Sequence, residues 1–236
     1  MTAQGRTVAI MQPTYLPWLG LFDLMDQADE FVVLDTVQFE RHSWQHRNRI
    51  RGAAGEIMLT VPVRNTGLAT TIADAQIADA RAVTKHHQTI RQAYAKAVHR
   101  DLVDDIGPLF QPSGDTLVEL LLPLIEWLRE HLGVTTPMVR SSTLDVSGAR
   151  DHLVRSICEA RGATSYLATA GSRGYMSEGN AFDDSPITVR YHQYVCEPYP
   201  QLYRPFIPSL AALDAALVLG PDARDAMLAG RRPPQP

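Results

Sequence analysis

Residues 7–35, TVAIMQPTYLPWLGLFDLMDQADEFVVLD, contain two short apolar runs separated by a segment with helical periodicity. The runs are Thr7 to Met11 and Phe31 to Asp35, and both consist largely of residues that favour strands. Between them, Leu19 to Ala28 has apolar residues at close to the helical period. A parallel strand pair needs a crossover connection of about a dozen residues or more, and this segment supplies one. Because continuous apolar strands are covered on both faces, the sequence predicts the opening βαβ unit of a three-layer α/β fold.

The rest of the chain continues this alternation of strand and helix patterns. Further strands are predicted at 56–63, 165–169 and 187–191, with 71–77 as a partner for the first, and further helices at 82–100, 115–131, 148–161 and 209–219. We therefore predict a single α/β domain over residues 1–228, with a Rossmann-like, mainly parallel sheet and a helical insertion around residues 82–132. Residues 229–236 end in GRRPPQP, and we expect a disordered tail there.

The composition is that of an ordinary globular protein. The chain has 236 residues, with 22 Lys and Arg against 26 Asp and Glu, so bulk charge does not suggest a nucleic-acid partner. The two cysteines, Cys158 and Cys196, form no Cys-x-x-Cys motif. No apolar stretch is long enough for a signal-peptide core or a membrane span, and the most apolar one, Leu120 to Leu128, is interrupted by a proline and a glutamate. We expect a cytoplasmic protein without a membrane span.

The loop Gln12 to Gly20, QPTYLPWLG, lies between the first strand and the first helix. Open α/β sheets bind ligands outside the carboxyl ends of their strands, so an ordered loop with two prolines and two aromatics is a candidate binding loop. The alternative is a rigid turn whose aromatics only cover the sheet. Asp35 ends the second strand at the same edge, where a carboxylate can hold a ribose, an amine or a metal, or can cap the next turn.

A basic and polar cluster follows between Gln38 and Arg49. Arginine forks in an acidic protein suggest a local site for phosphate or carboxylate, and the alternative is a solvated loop. His42 and His46 have a metal-ligand spacing, but no carboxylate lies at a sequence spacing expected of a third ligand, so we predict no metal site. Near the C-terminus, an aromatic and polar region suits sugars or flat ligands, or is packing; it contains Tyr191, His192, Tyr194, Tyr199 and Tyr203.

A second pair of histidines lies in the predicted helix 82–100. The helical periodicity puts His87 in the apolar stripe with Ile90 and Tyr94, as a core histidine. His86 falls on the border of that stripe beside Lys85, and these two side chains are candidates to face a cleft.

Residues 10–50, IMQPTYLPWLGLFDLMDQADEFVVLDTVQFERHSWQHRNRI, are closely similar to the WbqC-like protein family. The resemblance continues through LTVPV at 59–63, SYLA and GSRGYM within 165–176, and YPQLYRPFIPSLAALDAALVLG at 199–220. It therefore covers nearly the whole chain, and its first block is the most specific.

The resemblance implies a role in gene clusters for surface polysaccharides or natural products, as an acyl or aminoacyl (glycine) transferase that makes an amide or ester on a sugar or small molecule. The recurrent polar residues of the family fall here on Gln12, Tyr15, Trp18, Asp35, Gln38, Arg47, Asn48, Lys85, His86, Tyr175 and Gln201. On this reading the catalytic residues are His86 as general base, Asp35 to orient or deprotonate the acceptor amine, and Lys85. Arg47, Asn48 and Lys85 would hold an anionic donor, and the other family positions would bind substrate.

The opening βαβ unit also resembles class I nucleotidyltransferases and pantothenate-synthetase-like ligases. Those enzymes place the histidines of an H-x-G-H motif on ATP phosphates, whereas this chain has Leu16, Pro17, Trp18 and Leu19 at that place. We therefore expect an already activated acyl donor and a small-molecule acceptor as partners, and we name no cofactor. The alternatives are a metal-dependent lyase or hydrolase with a His/Asp site and a non-catalytic small-molecule-binding protein. The oligomeric state is left open.

Overall fold

The computed structural model describes residues 5–64, 70–112 and 114–236, apart from the side chain of Tyr175. Its strands are β1 Thr7–Met11, β2 Glu30–Val33, β3 Arg47–Gly52, β4 Gly55–Thr60, β5 Met138–Arg140, β6 Ser165–Ala168, β7 Thr188–Tyr194 and β8 Arg231–Gln235. Its helices are α1 Leu19–Asp26, α2 Ala80–Ala93, α3 Leu102–Asp105, α4 Leu117–His131, α5 Arg150–Ala160, α6 Arg173–Glu178, α7 Ala212–Leu219 and α8 Ala223–Ala229.

Six strands form one sheet in the order β5-β2-β1-β6-β7-β8. The first five are parallel, and β8 runs antiparallel to β7. Alternate residues of β1 enter opposite faces: Val8 and Ile10 pack with the apolar side of α5, and Ala9 packs with α1, α4 and α7. Because both faces of the sheet are covered, the prediction of a three-layer, mainly parallel α/β fold is confirmed.

The connection from β2 to β5 holds the predicted helical insertion and a separate two-stranded sheet. In this sheet β3 pairs antiparallel with β4, from Arg47 opposite Thr60 to Gly52 opposite Gly55. The prediction of a pairing between 71–77 and 56–63 is wrong apart from a single bridge between Val63 and Ile77. Residues 47–52 were missed as a strand because RNRIRG has one aliphatic residue, which is too few for an alternating pattern.

Helices α4 and α5 begin close to the predicted positions. For α4, the N-cap is Thr116, one residue after the predicted Asp115, and the Glu119 carboxylate accepts hydrogen bonds from the backbone N–H and the hydroxyl of Thr116, at 3.0 and 2.7 Å. Such a capping box satisfies donors that the first helical turn leaves open.

Helix α2 ends at Ala93, well before the predicted Arg100.

The C-terminal residues differ from the predicted disordered tail, because Arg231–Gln235 form the edge strand β8. Arg231 donates from Nε to Asp23 on α1 at 2.7 Å and from Nη2 to Asp26 on the same helix at 2.5 Å. These ion pairs hold a segment whose low apolar content alone predicts disorder. Proline is tolerated here because β8 is at the edge of the sheet.

Over the described ranges, none of the helices has the length and apolar character needed to cross a membrane.

Candidate functional site

The order of the strands places a switch point between β1 and β6. From β1 the chain proceeds to its neighbour β2 and on to β5, and it then returns to the other side of β1 to form β6 and β7. In open α/β sheets, ligands bind in the crevice that such a reversal leaves outside the carboxyl ends of the strands. Here that crevice is a cleft, with Met11 at the end of β1 and Gln12 after it on one side and Thr169 and Ser172 after β6 on the other.

The cleft consists of three adjoining depressions with volumes of about 250, 350 and 280 Å³, and Met11 lines all three. We call them the tryptophan, amide and histidine depressions after their most distinctive side chains. The tryptophan depression is lined by Met11, Thr14, Trp18, Trp44, Asn48, Arg49 and Ser209. The amide depression includes Gln12, Glu40, Ser43, Gln45 and Ser172, and the histidine depression includes Trp18, Thr169, Gly171, His192 and Tyr194.

Two arginines of β3 lie against one exposed tryptophan. Side chains two apart on a strand share a face, so Arg47 and Arg49 both reach the Trp44 ring, at 5.9 and 5.5 Å from its centroid. Trp44 is 48% exposed and lines two of the three depressions. Arg49 also pairs with Glu56 at 2.8 Å. The buried Nε atom of each arginine has no hydrogen-bond partner among the described residues.

Two hydroxyl groups in the cleft wall are also buried without a hydrogen-bond partner in the described part of the chain. They belong to Thr14, a residue that lines the tryptophan and amide depressions, and to Tyr194, a residue that lines the histidine depression. Most buried polar atoms in folded proteins have partners, and an unmade bond costs about 1–3 kcal/mol. With the two arginine Nε atoms, four buried donor groups in and beside the cleft have no partner within the described residues.

His192, which lines the histidine depression, is paired with a carboxylate buried behind it. Nε2 of His192 lies 2.7 Å from Oδ2 of Asp23, and Asp23 is fully buried on α1. Asp23 also accepts bonds from Nε of Arg231 and from the side-chain amide of Gln27, each at 2.7 Å. The carboxylate at Nε2 fixes the orientation and tautomer of the ring and leaves Nδ1 as its basic nitrogen.

The structure brings some of the predicted residues to this cleft. The Gln12 side-chain oxygen accepts a bond from the Gln45 amide at 2.8 Å, and Trp18 meets the Tyr194 ring edge-on at 5.2 Å between centroids. Asn48 lines the tryptophan depression and donates to the carbonyls of Tyr15 and Leu16, at 3.1 and 2.7 Å. Asn48 therefore fixes the loop between β1 and α1. Arg47 reaches the cleft through its contact with Trp44.

Asp35 is buried away from the cleft lining. Its carboxylate accepts hydrogen bonds from Nε of Arg140 at 2.7 Å and from the hydroxyls of Ser141 and Ser142 at 3.0 and 2.8 Å. Burial alone would raise the pKa of Asp35, but the bonds from Ser142 and Arg140 outweigh it and hold the pKa below its usual value. Asp35 therefore anchors the turn after β5, and the geometry does not support the predicted role toward an acceptor amine.

The predicted general base His86 is likewise buried outside the cleft lining. Its Nδ1 lies 2.8 Å from the Tyr15 hydroxyl, and the Thr60 backbone also bonds the ring. Burial lowers the pKa of His86 to about 4, so the ring is neutral and its nitrogens are occupied. Lys85 is exposed on α2 and lines none of the three depressions. The structure thus does not bring His86, Asp35 and Lys85 together.

The burial of the two adjacent histidines, His86 and His87, is the reverse of the burial predicted from the helical periodicity. His87 is half-buried and its Nε2 lies 2.8 Å from the Val103 carbonyl, whereas His86 is the more buried of the two. Adjacent residues lie about 100° apart on a helix, so the side of α2 that buries His86 leaves His87 turned partly toward solvent.

The remaining predicted residues have structural roles or lie elsewhere. Tyr15 is fully buried, and Gln38 is exposed in a bridge to Thr71. The two ends of the Gln201 amide bond the N–H and C=O of Ile207, both at 2.9 Å, and close the loop between them. The Tyr175 side chain lies outside the described residues.

The histidines with a metal-ligand spacing bond protein groups. His46 accepts from the His42 backbone N–H through Nε2 at 3.1 Å, and its Nδ1 lies 2.8 Å from the Val61 carbonyl. Burial also lowers the pKa of His46. Within residues 5–64, 70–112 and 114–236, no group of three His, Cys, Asp or Glu side chains is placed to hold a metal ion.

Sequence reasoning missed the roles of Thr14, Arg49 and the Asp23–His192 pair. One signal was present: Asp23 is an acidic residue within the apolar helix sequence LGLFDLM, where a buried carboxylate needs a partner. The identity of that partner depends on strand order, because His192 lies far away in the chain.

Comparisons with known proteins show the family of this chain. The model of the WbqC-like protein family matches residues 12–226. A relative, described as "Uncharacterized protein Rv1507c" of Mycobacterium tuberculosis (strain ATCC 25618 / H37Rv), is 29% identical over 224 residues, which are 93% of this chain and 96% of the relative. No solved structure matches the chain significantly. Since the family model covers nearly the whole chain, including all the strands around the cleft except β1 and β8, this protein belongs to the WbqC-like protein family.

Proposed function

We propose that this protein is an acyl- or aminoacyl-type transferase that forms an amide or ester on a sugar or small-molecule acceptor, in surface-polysaccharide or natural-product biosynthesis. The observation that carries the proposal is the cleft between β1 and β6, which Thr14, Arg49 and Tyr194 line and beside which Arg47 lies against Trp44; each of the four has a buried donor group without a partner among the described residues. Donors of this kind suit the anionic or oxygen-rich part of an activated acyl compound.

The activated donor is assigned to the tryptophan depression. The two guanidinium groups bring positive charge to the Trp44 ring, and Glu56 compensates only part of it, through Arg49. Arginine binds phosphate and carboxylate through paired donors, and an exposed indole offers a flat face to the rest of the molecule. An acyl thioester or acyl phosphate whose activating group carries phosphate has this combination of charge and shape.

The acceptor is assigned to the amide depression. Its lining is rich in neutral hydrogen-bonding groups, with the Gln12–Gln45 pair, Ser43 and Ser172, and it contains one carboxylate, Glu40. Amides and hydroxyls both donate and accept, which suits the hydroxyls of a sugar or the amine of a small molecule. Because Met11 and Thr14 also line the tryptophan depression, the two substrates would meet at the end of β1.

The proposal requires that the donor arrives already activated. The place of the nucleotide-binding histidines of related folds is taken here by the apolar loop that ends at Trp18, the N-cap of α1. His86, the nearest histidine in contact with this loop, bonds Tyr15 and is occupied. ATP-dependent activation of the acyl group therefore has no matching histidine pair in this cleft.

The experiment compares Arg49→Gln with the matched control Arg91→Gln, which removes an exposed arginine paired with Asp104 at 3.6 Å. Calorimetric titration with an acyl thioester of coenzyme A and with an acyl phosphate measures donor affinity. We expect the wild type and the control to bind one of these and Arg49→Gln to bind it at least 10-fold more weakly. Equal affinity in all three proteins would contradict the donor site.

A non-catalytic small-molecule-binding protein is the second candidate, and the occupied state of His86 and Asp35 favours it. The two candidates differ in turnover. Product analysis by mass spectrometry, with a bound donor and a panel of amino sugars, sugars and amines, separates them: acyl transfer supports the transferase, and saturable binding with no product supports the binding protein.

A further inference from the structure

We propose that His192 is the proton acceptor in this cleft and that Asp23 positions it. The inference deepens the proposed function and rests on it, since a proton acceptor matters only where an acceptor hydroxyl or amine reacts. It replaces His86, whose ring nitrogens are both occupied outside the cleft lining.

The geometry gives His192 one fixed and one available nitrogen. The 2.7 Å contact with Asp23 places the proton on Nε2, because the buried carboxylate can only accept, and Nδ1 then carries the lone pair. The His192 ring lines the histidine depression with Thr169 and Gly171, which also line the amide depression assigned to the acceptor. A group bound between the two depressions therefore meets the ring.

The charges around the ring suit a neutral base that can accept a proton. Asp23 on α1 and Tyr194 on β7 contact the ring, and a chain of ion pairs continues from Asp23 through Arg231 on β8 and Asp26 on α1 to Arg224 on α8. Two carboxylates balance two guanidinium groups, so the surroundings carry no net charge while His192 is neutral. Asp23 contacts the ring directly and stabilises the imidazolium when it forms, as in other carboxylate–histidine pairs.

The step balances with the groups named. The acceptor hydroxyl or amine gives a proton to Nδ1 of His192 while its oxygen or nitrogen forms the bond to the acyl carbon. The bond from the acyl carbon to the activating group breaks, and its electron pair leaves with the thiolate or phosphate. The proton on His192 then passes to that leaving group, and the neutral ring is restored.

The test uses His192→Gln, with His152→Gln, an exposed histidine on α5, as the matched control. We expect His192→Gln to bind the donor within about 2-fold of the wild type while kcat falls about 10²- to 10⁴-fold, the range of a positioned general base. We also expect the acidic limb of the kcat/KM profile to disappear, and imidazole to restore part of the activity of His192→Gly. A kcat within 5-fold of the wild type, or loss of donor binding together with kcat and no rescue by imidazole, would overturn the assignment.

A separate measurement distinguishes failure of this inference from failure of the proposed function. Diethyl pyrocarbonate acylates neutral, accessible imidazole, and peptide mass spectrometry reports which histidine reacts. We expect His192 to react through Nδ1 and the bound donor and acceptor together to protect it, whereas His86, which is equally buried, should stay unmodified because both of its ring nitrogens are bonded. If no acyl transfer is found but His192 reacts and is protected by ligand, the proposed function fails and only the position of His192 in the ligand cleft stands. If His192 stays unmodified, the base assignment fails whatever the activity.

Discussion

Thr14 is a single residue of the cleft at which an unmade hydrogen bond lowers the stability of the ligand-free protein. Its side chain is 8% exposed, and its hydroxyl has no hydrogen-bond partner among the described residues. We expect Thr14→Val, which keeps the shape and removes the hydroxyl, to raise the free energy of unfolding of the ligand-free protein by about 1 kcal/mol. Urea denaturation measures this, with Thr84→Val on the exposed side of α2 as the control. A loss of stability in Thr14→Val would show that the hydroxyl already has a partner.

Asp35 leads to a prediction about how the stability of the protein changes at acidic pH. Its pKa is held below the usual value, so its hydrogen bonds stabilise the folded state fully above the unfolded pKa of about 3.9 and are lost as pH falls through the folded pKa. We expect Asp35→Asn to lower the free energy of unfolding by about 2–3 kcal/mol at pH 7, because partly exposed Arg140 and the hydroxyls of Ser141 and Ser142 lose their buried, charged acceptor. The difference from the wild type should shrink as pH falls below about 4. A difference that does not change between pH 7 and pH 3 would contradict the assignment.

At the scale of elements, the C-terminal strand depends on two carboxylates of α1. Arg231 is the charged partner of fully buried Asp23, whereas Arg232 pairs with half-exposed Glu197. Removing one partner of a buried pair is much more costly than removing one from a surface pair. We expect Arg231→Gln to lower the free energy of unfolding by about 3 kcal/mol and Arg232→Gln by less than about 1 kcal/mol. Chemical denaturation of both variants checks this, and equal effects would show that β8 is held by its backbone pairing alone.

The first turn of α4 provides a second prediction at this scale. The Thr116 and Glu119 side chains close a capping box on the longest helix that covers the sheet. We expect Thr116→Ala to cost about 1 kcal/mol of stability, because it leaves backbone donors of the first turn open. Glu130→Ala, at an exposed position of the same helix, serves as control and should change stability by less than about 0.5 kcal/mol. Thermal unfolding of the two variants would refute the cap if both shifted equally.

At the scale of the whole molecule, one sheet connects the two apolar clusters. The β3–β4 hairpin also belongs to this arrangement, because Ile50 and Leu59 lie in the same cluster as α1 and α4. We expect the chain, including β8, to unfold as one unit, so that the fluorescence of Trp18, Trp44 and Trp127 changes together with the helical circular dichroism signal in urea. Two separate transitions would instead mark the segment between β2 and β5 as a second unit.

The elements that could be predicted from the sequence are those whose pattern is local and apolar. The unit β1-α1-β2, the helix α5 and the strand β6 follow from apolar runs and periodicity, and the structure confirms them. The strands β3 and β8 could not be predicted in this way, because their residues are mainly charged or proline. Their stability comes from cross-strand pairing and from ion pairs with residues distant in the chain.

The same distinction between local sequence patterns and long-range contacts applies to the candidate site. The local sequence was sufficient to indicate the loop after β1 and the basic cluster around Trp44 as binding regions, since both are dense in aromatic and polar residues over a short stretch. It could not select between His86 and His192, because burial and the partners of each ring depend on which elements become neighbours. Strand order places β7 against α1 and so joins His192 to Asp23, while the packing of α2 encloses His86. Local periodicity sets the elements, whereas only long-range contacts decide which polar groups meet in one cleft.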